Sequence, residues 1–255
     1  MIKDPMVYFV GAGPGDPELI TVKGERLLRE ADLVVYAGSL VNEQILEKAA
    51  EGCALYDSAG MDLEEICRVI IEYAKAGKKV VRLHSGDPSL YGALREQMKL
   101  LARAGVTYKM VPGVSSFSAA AAAVDKEYTL PEISQTVILT RLAGKTPVPE
   151  KQALGSLAKH EASMAVFLSI GMIDQVVSEL RRGYEEETPV AVVYKASWEE
   201  EQVIYGTVGD IADKVKTAGL KLSALVLVGD FLGDPVSNSK LYDASFSHGC
   251  REGRS

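Results

Sequence analysis

The sequence has few of the residues that bind metals or build disulfide frameworks. Its 255 residues include three cysteines and three histidines. Cys53, Cys67 and Cys250 show no Cys-x-x-Cys spacing, and the histidines show no metal-binding spacing. An odd and sparse set of cysteines predicts a reducing compartment and no protein-bound metal. We expect Cys53, at the start of a predicted strand, and Cys67, in a predicted helix, to pack in the core.

Long apolar runs and an excess of positive charge are also absent. The longest apolar stretches, Phe117–Val124 and Met164–Gly171, are far shorter than the ~20 residues that a membrane span needs. Lys3 and Pro5 interrupt the amino-terminal segment, which does not resemble a signal peptide. The formal net charge of -7 argues against a nucleic-acid partner, although a local basic cleft is compatible with it. We therefore expect a cytoplasmic protein that binds neither membrane nor nucleic acid.

The first half of the sequence alternates between strand patterns and helix patterns. The clearest helix pattern begins at Asp62, which forms a capping-box pair with Glu65, and ends at Gly77. Such alternation predicts an α/β domain with a mostly parallel sheet and helices on both faces. The predicted strands are Met6–Val10, Leu33–Tyr36, Cys53–Tyr56, Lys79–Leu83 and Thr107–Val111.

The pattern changes near Asp125–Pro131, where we place the boundary between an N-terminal domain (1–125) and a C-terminal domain (126–233). The second domain is predicted to be α/β with a mixed sheet, and Thr207 with Asp210 predicts a capping box. The polar tail 234–255 is predicted to be disordered. The predicted strands here are Thr136–Thr140, Met164–Ser169, an antiparallel pair Pro189–Tyr194 and Gln202–Ile204, and Leu222–Val228.

Three unusual loops follow strands of the first domain. They span residues 11–16, with three glycines and a proline, residues 84–92, and residues 112–116. Open parallel sheets bind ligands at the carboxyl ends of their strands, so we expect the three loops to form one ligand-binding edge. Thr21, after the first loop, is predicted to cap the next helix.

The first loop differs from a dinucleotide-binding fingerprint. That fingerprint needs Gly-x-Gly-x-x-Gly leading directly into a helix, and an acidic residue about 20 positions later. Here Asp16 occupies the sixth position, and residues 37–39 after the second strand contain no acid. The glycines therefore predict a close backbone approach of some other kind.

Four segments together resemble the tetrapyrrole (corrin/porphyrin) methylase family, the class III S-adenosylmethionine-dependent methyltransferases. They are Val10–Pro17, Ser85–Gly92, Val111–Ser116 and Pro189–Trp198. The resemblance implies two α/β domains with S-adenosyl-L-methionine in the cleft between them, and usually a homodimer. Four details are similar to the branch that methylates C11 of precorrin-4 or its cobalt form in cobalamin synthesis: Tyr36–Val41, Asp57–Met61, His84–Asp87 and Tyr194–Trp198.

The resemblance also implies a set of residues that bind the methyl donor. They are Pro14, Ser85, Gly86, Asp87, Leu90, Ser115, Ser116, Ile170 and Ala196. Ile170 stands where the family has a methionine and Ala196 where it has a glycine, so their contacts would be mainly through the backbone. The uroporphyrinogen enzymes have a lysine near the position of Asp57. The aspartate in this sequence argues against uroporphyrinogen as the substrate.

Methyl transfer from a sulfonium needs alignment and a dry cleft more than it needs a nucleophilic side chain or a metal. Asp16 is the first candidate for a base that removes a proton from the acceptor; the alternative is that it only binds loop amides, a common role of Asp in turns. Arg141, Lys195 and Ser39 are the candidates for binding the substrate, since a tetrapyrrole carries several carboxylates and arginine fits them in a bidentate manner.

The sequence leaves three alternatives to C11 methylation open. The same fold could methylate another ring position or another substrate, namely uroporphyrinogen III, precorrin-2 or the protein residue of diphthine synthesis. A nicotinamide-dependent oxidoreductase and a non-catalytic tetrapyrrole carrier belong to other classes. The sequence does not distinguish a metal-free substrate from one that already contains cobalt.

Overall fold

The protein, described by a computed structural model over residues 6–234, 245–247 and 249–252, contains two five-stranded sheets. The first sheet has the order β3-β2-β4-β1-β5, and every neighbouring pair is parallel. The predicted parallel sheet is therefore confirmed. Its strands are β1 (Val7–Gly11), β2 (Leu33–Tyr36), β3 (Ala54–Asp57), β4 (Val80–His84) and β5 (Tyr108–Val111).

Two of the helices in this part begin at the predicted caps. Thr21 accepts the amide of Gly24 through its hydroxyl over 3.0 Å, and Asp62 and Glu65 form the complete capping box. Positive φ angles at Gly77 and Gly105 end two of the helices, as predicted. The helices are α1 (Val22–Arg29), α2 (Leu63–Lys75), α3 (Leu94–Arg103) and α4 (Ser116–Ala123).

Alternating side chains of the first sheet supply a core on each face. On β1, Val7 and Phe9 join one core with residues of α2 and α3, whereas Val10 joins the other with residues of α1. The predicted coverage of both faces is confirmed. Cys67 is buried in α2 and Cys53 is half-buried against the α1 side. Burial raises the pKa of both thiols, which suits a packing role.

The second sheet is mixed, as predicted, with the order β6-β7-β10-β8-β9. β6 pairs with β7 in parallel, and the other pairs, including the predicted pair β8 and β9, are antiparallel. Residues of the helices pack against this sheet and form one apolar core with it. The elements are β6 (Val137–Arg141), α5 (Leu154–Ala158), β7 (Ser163–Phe167), α6 (Ile173–Leu180), β8 (Pro189–Tyr194), β9 (Gln202–Thr207), α7 (Ile211–Thr217) and β10 (Ala224–Val228).

Local details of the second half differ from the predictions. The predicted capping box at Thr207 is wrong: Asp210 accepts the Thr207 amide over 2.8 Å, but this bond closes a turn at the end of β9, and α7 begins at Ile211. β10 begins two residues later than predicted because Ser223 has a positive φ of 54°. β7 ends at Phe167 because Leu168 has a φ of 53°.

Contacts divide the chain into two compact units. One contains Met1–Ala119 and Lys195–Glu201, and the other contains Ala120–Tyr194 and Gln202–Ser255. The domain boundary at residue 125 and the cleft between domains stay predictions. Most of the tail for which disorder is predicted lies outside the described residues. Within the described ranges, no helix combines the length and apolar character that crossing a bilayer requires.

Candidate active site

The three loops after β1, β4 and β5 meet because β1 lies between β4 and β5 in the sheet. Where β1 and β4 end, the amide of Ala12 donates to the carbonyl of His84 over 2.7 Å, and that of Gly86 donates to Gly13 over 2.7 Å. The third loop joins through the amide of Gly113, which donates to the Asp87 carboxylate over 2.9 Å. The predicted convergence of the three loops is confirmed.

The loops approach so closely that only glycine fits at the contact. A Cβ atom on Gly11 would lie 2.6 Å from the Cα of Gly113 and 2.6 Å from the carbonyl oxygen of Gly86. A Cβ on Gly113 would lie 2.3 Å from that same oxygen. These neighbours are backbone atoms and cannot rotate away. Gly11 and Gly113 therefore serve backbone packing first.

Asp87 holds the second loop to the third. Besides Gly113, its carboxylate accepts the backbone amide of Ser89 over 2.8 Å and the hydroxyl of Ser89. Burial raises the pKa of Asp87, but hydrogen bonds from the Ser89 hydroxyl, the Gly113 amide and the Ser89 amide outweigh burial, so the pKa lies below its usual value. Asp87 is therefore a carboxylate that organises the loops.

The helix α4 begins beside Gly86. A Cβ on Gly86, which has a φ of 62°, would lie 3.6 Å from the amide nitrogen of Ser116. Ser115 is buried, and its carbonyl oxygen accepts the amide of Ser118 over 3.0 Å in the first turn. The first turn of a helix presents free amides and a partial positive charge, which suits an anionic group. Ser85 is exposed at this place and Leu90 is half-buried.

The first loop carries Pro14 and Asp16. Asp16 lies at the start of a short 3-10 helix, Pro17–Leu19, where its carboxylate accepts the amide of Glu18 over 2.8 Å. Its own amide donates to the hydroxyl oxygen of Ser197 over 3.0 Å. The turn-forming role of Asp16 is thus present in the structure.

A buried polar pair lies on β4 just before the site. Arg82 is buried and donates to the side-chain oxygen of Gln97 and to the carbonyl of Val35, each over 3.2 Å. His84 is buried against Phe9, with ring centroids 6.1 Å apart, and its Nε2 has no hydrogen-bond partner within the described ranges. Burial, with Arg82 nearby, lowers the pKa of His84 to about 3. His84 is therefore a neutral packed group at ordinary pH.

Two of the predicted residues belong to the second compact unit. Arg141 ends β6, and its guanidinium donates to the carbonyl oxygens of Leu142, Thr146 and Pro147 over 2.8 to 3.2 Å. These bonds brace the loop that follows β6. Ile170 is buried in the core of this unit, at the start of the short 3-10 helix Ile170–Met172.

The remaining predicted residues are divided between two segments. Lys195 and Ala196 lie in the connection between β8 and β9, which belongs to the first compact unit. The ammonium of Lys195 lies 5.0 Å from the ring centroid of Trp198 and 2.8 Å from a carboxylate oxygen of Glu200, and Ala196 is buried. Ser39 falls in a short 3-10 helix, Gly38–Leu40, and its side chain lies outside the described residues.

Sequence reasoning missed how the first loop is held from outside. The side-chain amide of Asn42 donates to the carbonyl of Gly15 over 3.0 Å, and the indole of Trp198 donates to that of Pro14 over 2.9 Å. Asn42 is not part of any sequence motif from which this contact could have been predicted. Trp198 ends the segment Pro189–Trp198 that resembles the family, but its partner is 184 positions away in the sequence.

Comparison with known proteins agrees with this architecture. The profile of the family described as Tetrapyrrole (Corrin/Porphyrin) Methylases matches residues 6–212. A cobalt-precorrin-4 C(11)-methyltransferase of Methanocaldococcus jannaschii is 55% identical over 248 residues, which are 96% of this chain and 96% of that protein.

Two solved structures are similar over most of their length. The X-ray structure of a cobalamin biosynthetic enzyme, cobalt precorrin-4 methyltransferase, has a TM-score of 0.87 and 49% identity, and covers 90% of this chain and 96% of its own. A uroporphyrin-III C-methyl transferase from Thermus thermophilus, complexed with S-adenyl homocysteine, has a TM-score of 0.75 and 31% identity. The match covers 89% of this chain and 93% of that one.

Proposed function

Because this chain belongs to the tetrapyrrole (corrin/porphyrin) methylase family, we propose that it transfers a methyl group from S-adenosyl-L-methionine to C11 of precorrin-4 or cobalt-precorrin-4. The products are the methylated ring and S-adenosyl-L-homocysteine. The support for C11 is the high identity, over nearly the full length, to a relative with that activity in its name. The uroporphyrin-III relative is less similar in sequence and in fold.

The observation that carries the proposal is the meeting of three glycine-bearing loops at the carboxyl edge of β4, β1 and β5. Parallel sheets bind ligands at this edge. The second strand is followed by residues 37–39, which contain no acid for a ribose, so a nicotinamide dinucleotide has weaker support. A methyl donor with a charged amino-acid part suits a backbone-lined site at the start of a helix.

The residues present fit such a donor. The first turn of α4, at Ser115 and Ser116, offers amides for the donor's carboxylate, and the exposed Ser85 offers a hydroxyl. A Cβ at Gly86 would lie 3.6 Å from the amide nitrogen of Ser116, so the second loop is in van der Waals contact with the first turn of α4. Because the Asp87 carboxylate is engaged by protein donors, we expect Asp87 to meet the donor through its backbone. When bound, the sulfonium supplies an already activated methyl group.

The other predicted residues complete the proposal. Pro14 and Leu90 border the donor, and Ile170 and Ala196 contact its adenine part through their backbones. Asp16, in the first loop, accepts the proton that the ring carbon loses. General bases typically contribute about 10²–10⁴-fold to the rate. Lys195 and Arg141, with Ser39, bind carboxylates of the tetrapyrrole. We also propose that the protein works as a cytoplasmic homodimer.

A mass-spectrometric assay tests the proposal. Purified protein is incubated with S-adenosyl-L-methionine and, in separate reactions, precorrin-4, cobalt-precorrin-4, precorrin-2 and uroporphyrinogen III. We expect one methyl unit to be added to one of the two precorrin-4 forms, and fragmentation to place it on C11. Reactions without the donor provide the control. Methylation of another ring position would redirect the proposal to that substrate, and no methylation of any tetrapyrrole would refute it.

A further inference from the structure

The connection between β8 and β9 is longer than the antiparallel pair requires. Tyr194, the last residue of β8, pairs with Gln202, the first residue of β9. A two-residue turn is sufficient to connect two strands at such a pair. Residues 195–201 fill this place instead, and by their contacts they belong to the compact unit that contains the first loop. A connection of this length, packed on one particular loop, points to a role in that loop's geometry.

Two residues of this connection hold successive residues of the first loop. The indole Nε1 of Trp198 donates to the carbonyl oxygen of Pro14 over 2.9 Å. The hydroxyl oxygen of Ser197 accepts the amide of Asp16 over 3.0 Å. Between them, the indole ring lies directly on Gly15, where an added Cβ would be 2.1 Å from the ring atom Cδ1. The indole therefore excludes any side chain at position 15.

The connection is itself held in an unusual shape. Lys195 and Ser197 both have left-handed backbone angles, with φ of 46° and 68°. Residues other than glycine adopt this conformation only when their surroundings impose it. The amide of Ser197 donates to the carboxylate of Glu201 over 2.6 Å, and the Lys195 ammonium lies over the ring of Trp198. The indole is thus fixed before any ligand arrives.

Fixing the carbonyl of Pro14 also fixes the next amide. The peptide bond from Pro14 to Gly15 is trans, because the described chain contains no cis peptide bond. In a trans peptide the carbonyl oxygen and the following N–H point in opposite directions in one plane. The hydrogen bond from Trp198 therefore directs the Gly15 N–H to the side of the peptide opposite the indole. Pro14 has no N–H of its own, so Gly15 supplies the donor of this bend.

We propose that Trp198 is a positioning residue for the methyl-donor site: its indole N–H, through Pro14, sets the direction of the Gly15 amide and so the affinity for the donor. The inference rests on the proposed function, because it takes the first loop as part of the donor site. It assigns Trp198 a role in binding the donor rather than in contact with the tetrapyrrole or in proton transfer.

The sequence provides its own reporter, since Trp198 is the single tryptophan of the chain. Titration of the wild-type protein with S-adenosyl-L-homocysteine is followed by tryptophan emission and, in parallel, by calorimetry. We expect emission to change with the same half-saturation concentration that calorimetry gives. Calorimetric binding without any emission change would overturn the role of Trp198. Absence of binding by both methods would refute the proposed function and the inference with it.

The variant Trp198→Phe keeps an aromatic ring over Gly15 but removes the N–H donor. We expect its KM for S-adenosyl-L-methionine to rise about 3- to 10-fold, the loss of one hydrogen bond, with kcat within about 3-fold of wild type. A purely structural role would lower the amount of folded enzyme and leave KM unchanged. Tyr205→Phe, at an exposed position on β9, is the matched control. An unchanged KM in folded Trp198→Phe would overturn the proposal.

Discussion

The Asp87 carboxylate and the Gly113 amide, 2.9 Å apart, connect the loop after β4 to the loop after β5. The two loops flank the end of β1, because β1 is the strand between β4 and β5. The Asp87 side chain thus holds the loops after β4 and β5, on either side of the candidate site, at a fixed distance from each other.

Asp87→Ala should weaken the site more than the fold. It leaves the amides of Gly113 and Ser89 without their acceptor, and hydrogen bonds to charged groups contribute about 1.5–3 kcal/mol each. We expect the free energy of unfolding to fall by about 2–4 kcal/mol and the affinity for S-adenosyl-L-homocysteine, measured by calorimetry, to fall at least about tenfold.

Asp32→Ala is the matched control, since the Asp32 carboxylate accepts the Lys79 amide over 2.8 Å just before β2 and β4 begin. That contact is of the same kind but lies at the opposite edge of the sheet. We expect Asp32→Ala to lose stability while its ligand affinity remains unchanged. Equal losses of affinity in both variants would show that Asp87 acts only through global stability.

His84 should make the protein less stable in mild acid. Its pKa is about 3 in the folded protein and about 6.5 when unfolded, so below pH 6.5 the unfolded chain gains a proton that the folded one does not. The free energy of unfolding should therefore fall by up to about 1.4 kcal/mol per pH unit as the pH decreases from about 6.5 towards 3.

Urea denaturation of wild type and His84→Gln at several pH values measures this contribution. The difference between the two proteins isolates His84, because carboxylates titrate in both. His160→Gln, at an exposed position, is the control substitution. Parallel pH profiles for wild type and His84→Gln would contradict the prediction.

Asp16→Asn separates the two roles of Asp16. Asparagine keeps an oxygen that can accept the Glu18 amide, so we expect the short helix after the first loop to be preserved. It cannot accept a proton, so we expect kcat to fall by about 10² or more with KM for the donor little changed. Glu18→Gln removes a neighbouring exposed carboxylate and is the control. Turnover of Asp16→Asn close to wild type would leave Asp16 with its turn-forming role alone.

Gly113→Ala tests whether the three loops must be in backbone contact. The added Cβ would meet the Gly86 carbonyl at 2.3 Å and the Gly11 Cα at 2.8 Å, so the loops must separate. Overpacking costs about 1–3 kcal/mol of stability. We expect the free energy of unfolding to fall by at least this amount and ligand binding to be lost. Gly60→Ala, with no atom within 4 Å of the added Cβ, should retain both. Calorimetry and thermal melting compare the two, and binding by Gly113→Ala at wild-type affinity would disprove the requirement.

The sequence predicted much of this architecture because its signals are local. The apolar runs of β1 and β4, the capping box at Asp62 and the glycines at helix ends each depend on neighbours a few positions away. The meeting of the three loops was also predictable, since it follows from the parallel arrangement of the strands.

What could not be predicted depends on partners that are distant in the sequence. The hydrogen bond from Trp198 to Pro14 spans 184 positions, and the one from Asn42 to Gly15 has no motif. The early end of β7 depends on the left-handed backbone at Leu168, where leucine gives no warning of such a conformation. The bracing of the loop after β6 by Arg141 is equally hidden, because an arginine at a strand end is compatible with many partners.

The central position of β1 has a consequence for the nascent chain. β1 is made first, yet its two neighbours are Val80–His84 and Tyr108–Val111. Translation adds roughly 5–20 residues per second, so this apolar segment waits several seconds before either edge can be paired. The glycine-rich bend that follows it gains its full set of contacts later still, because Ser197 and Trp198 also hold it. Until then the cell must keep an unpaired apolar strand from associating with other chains.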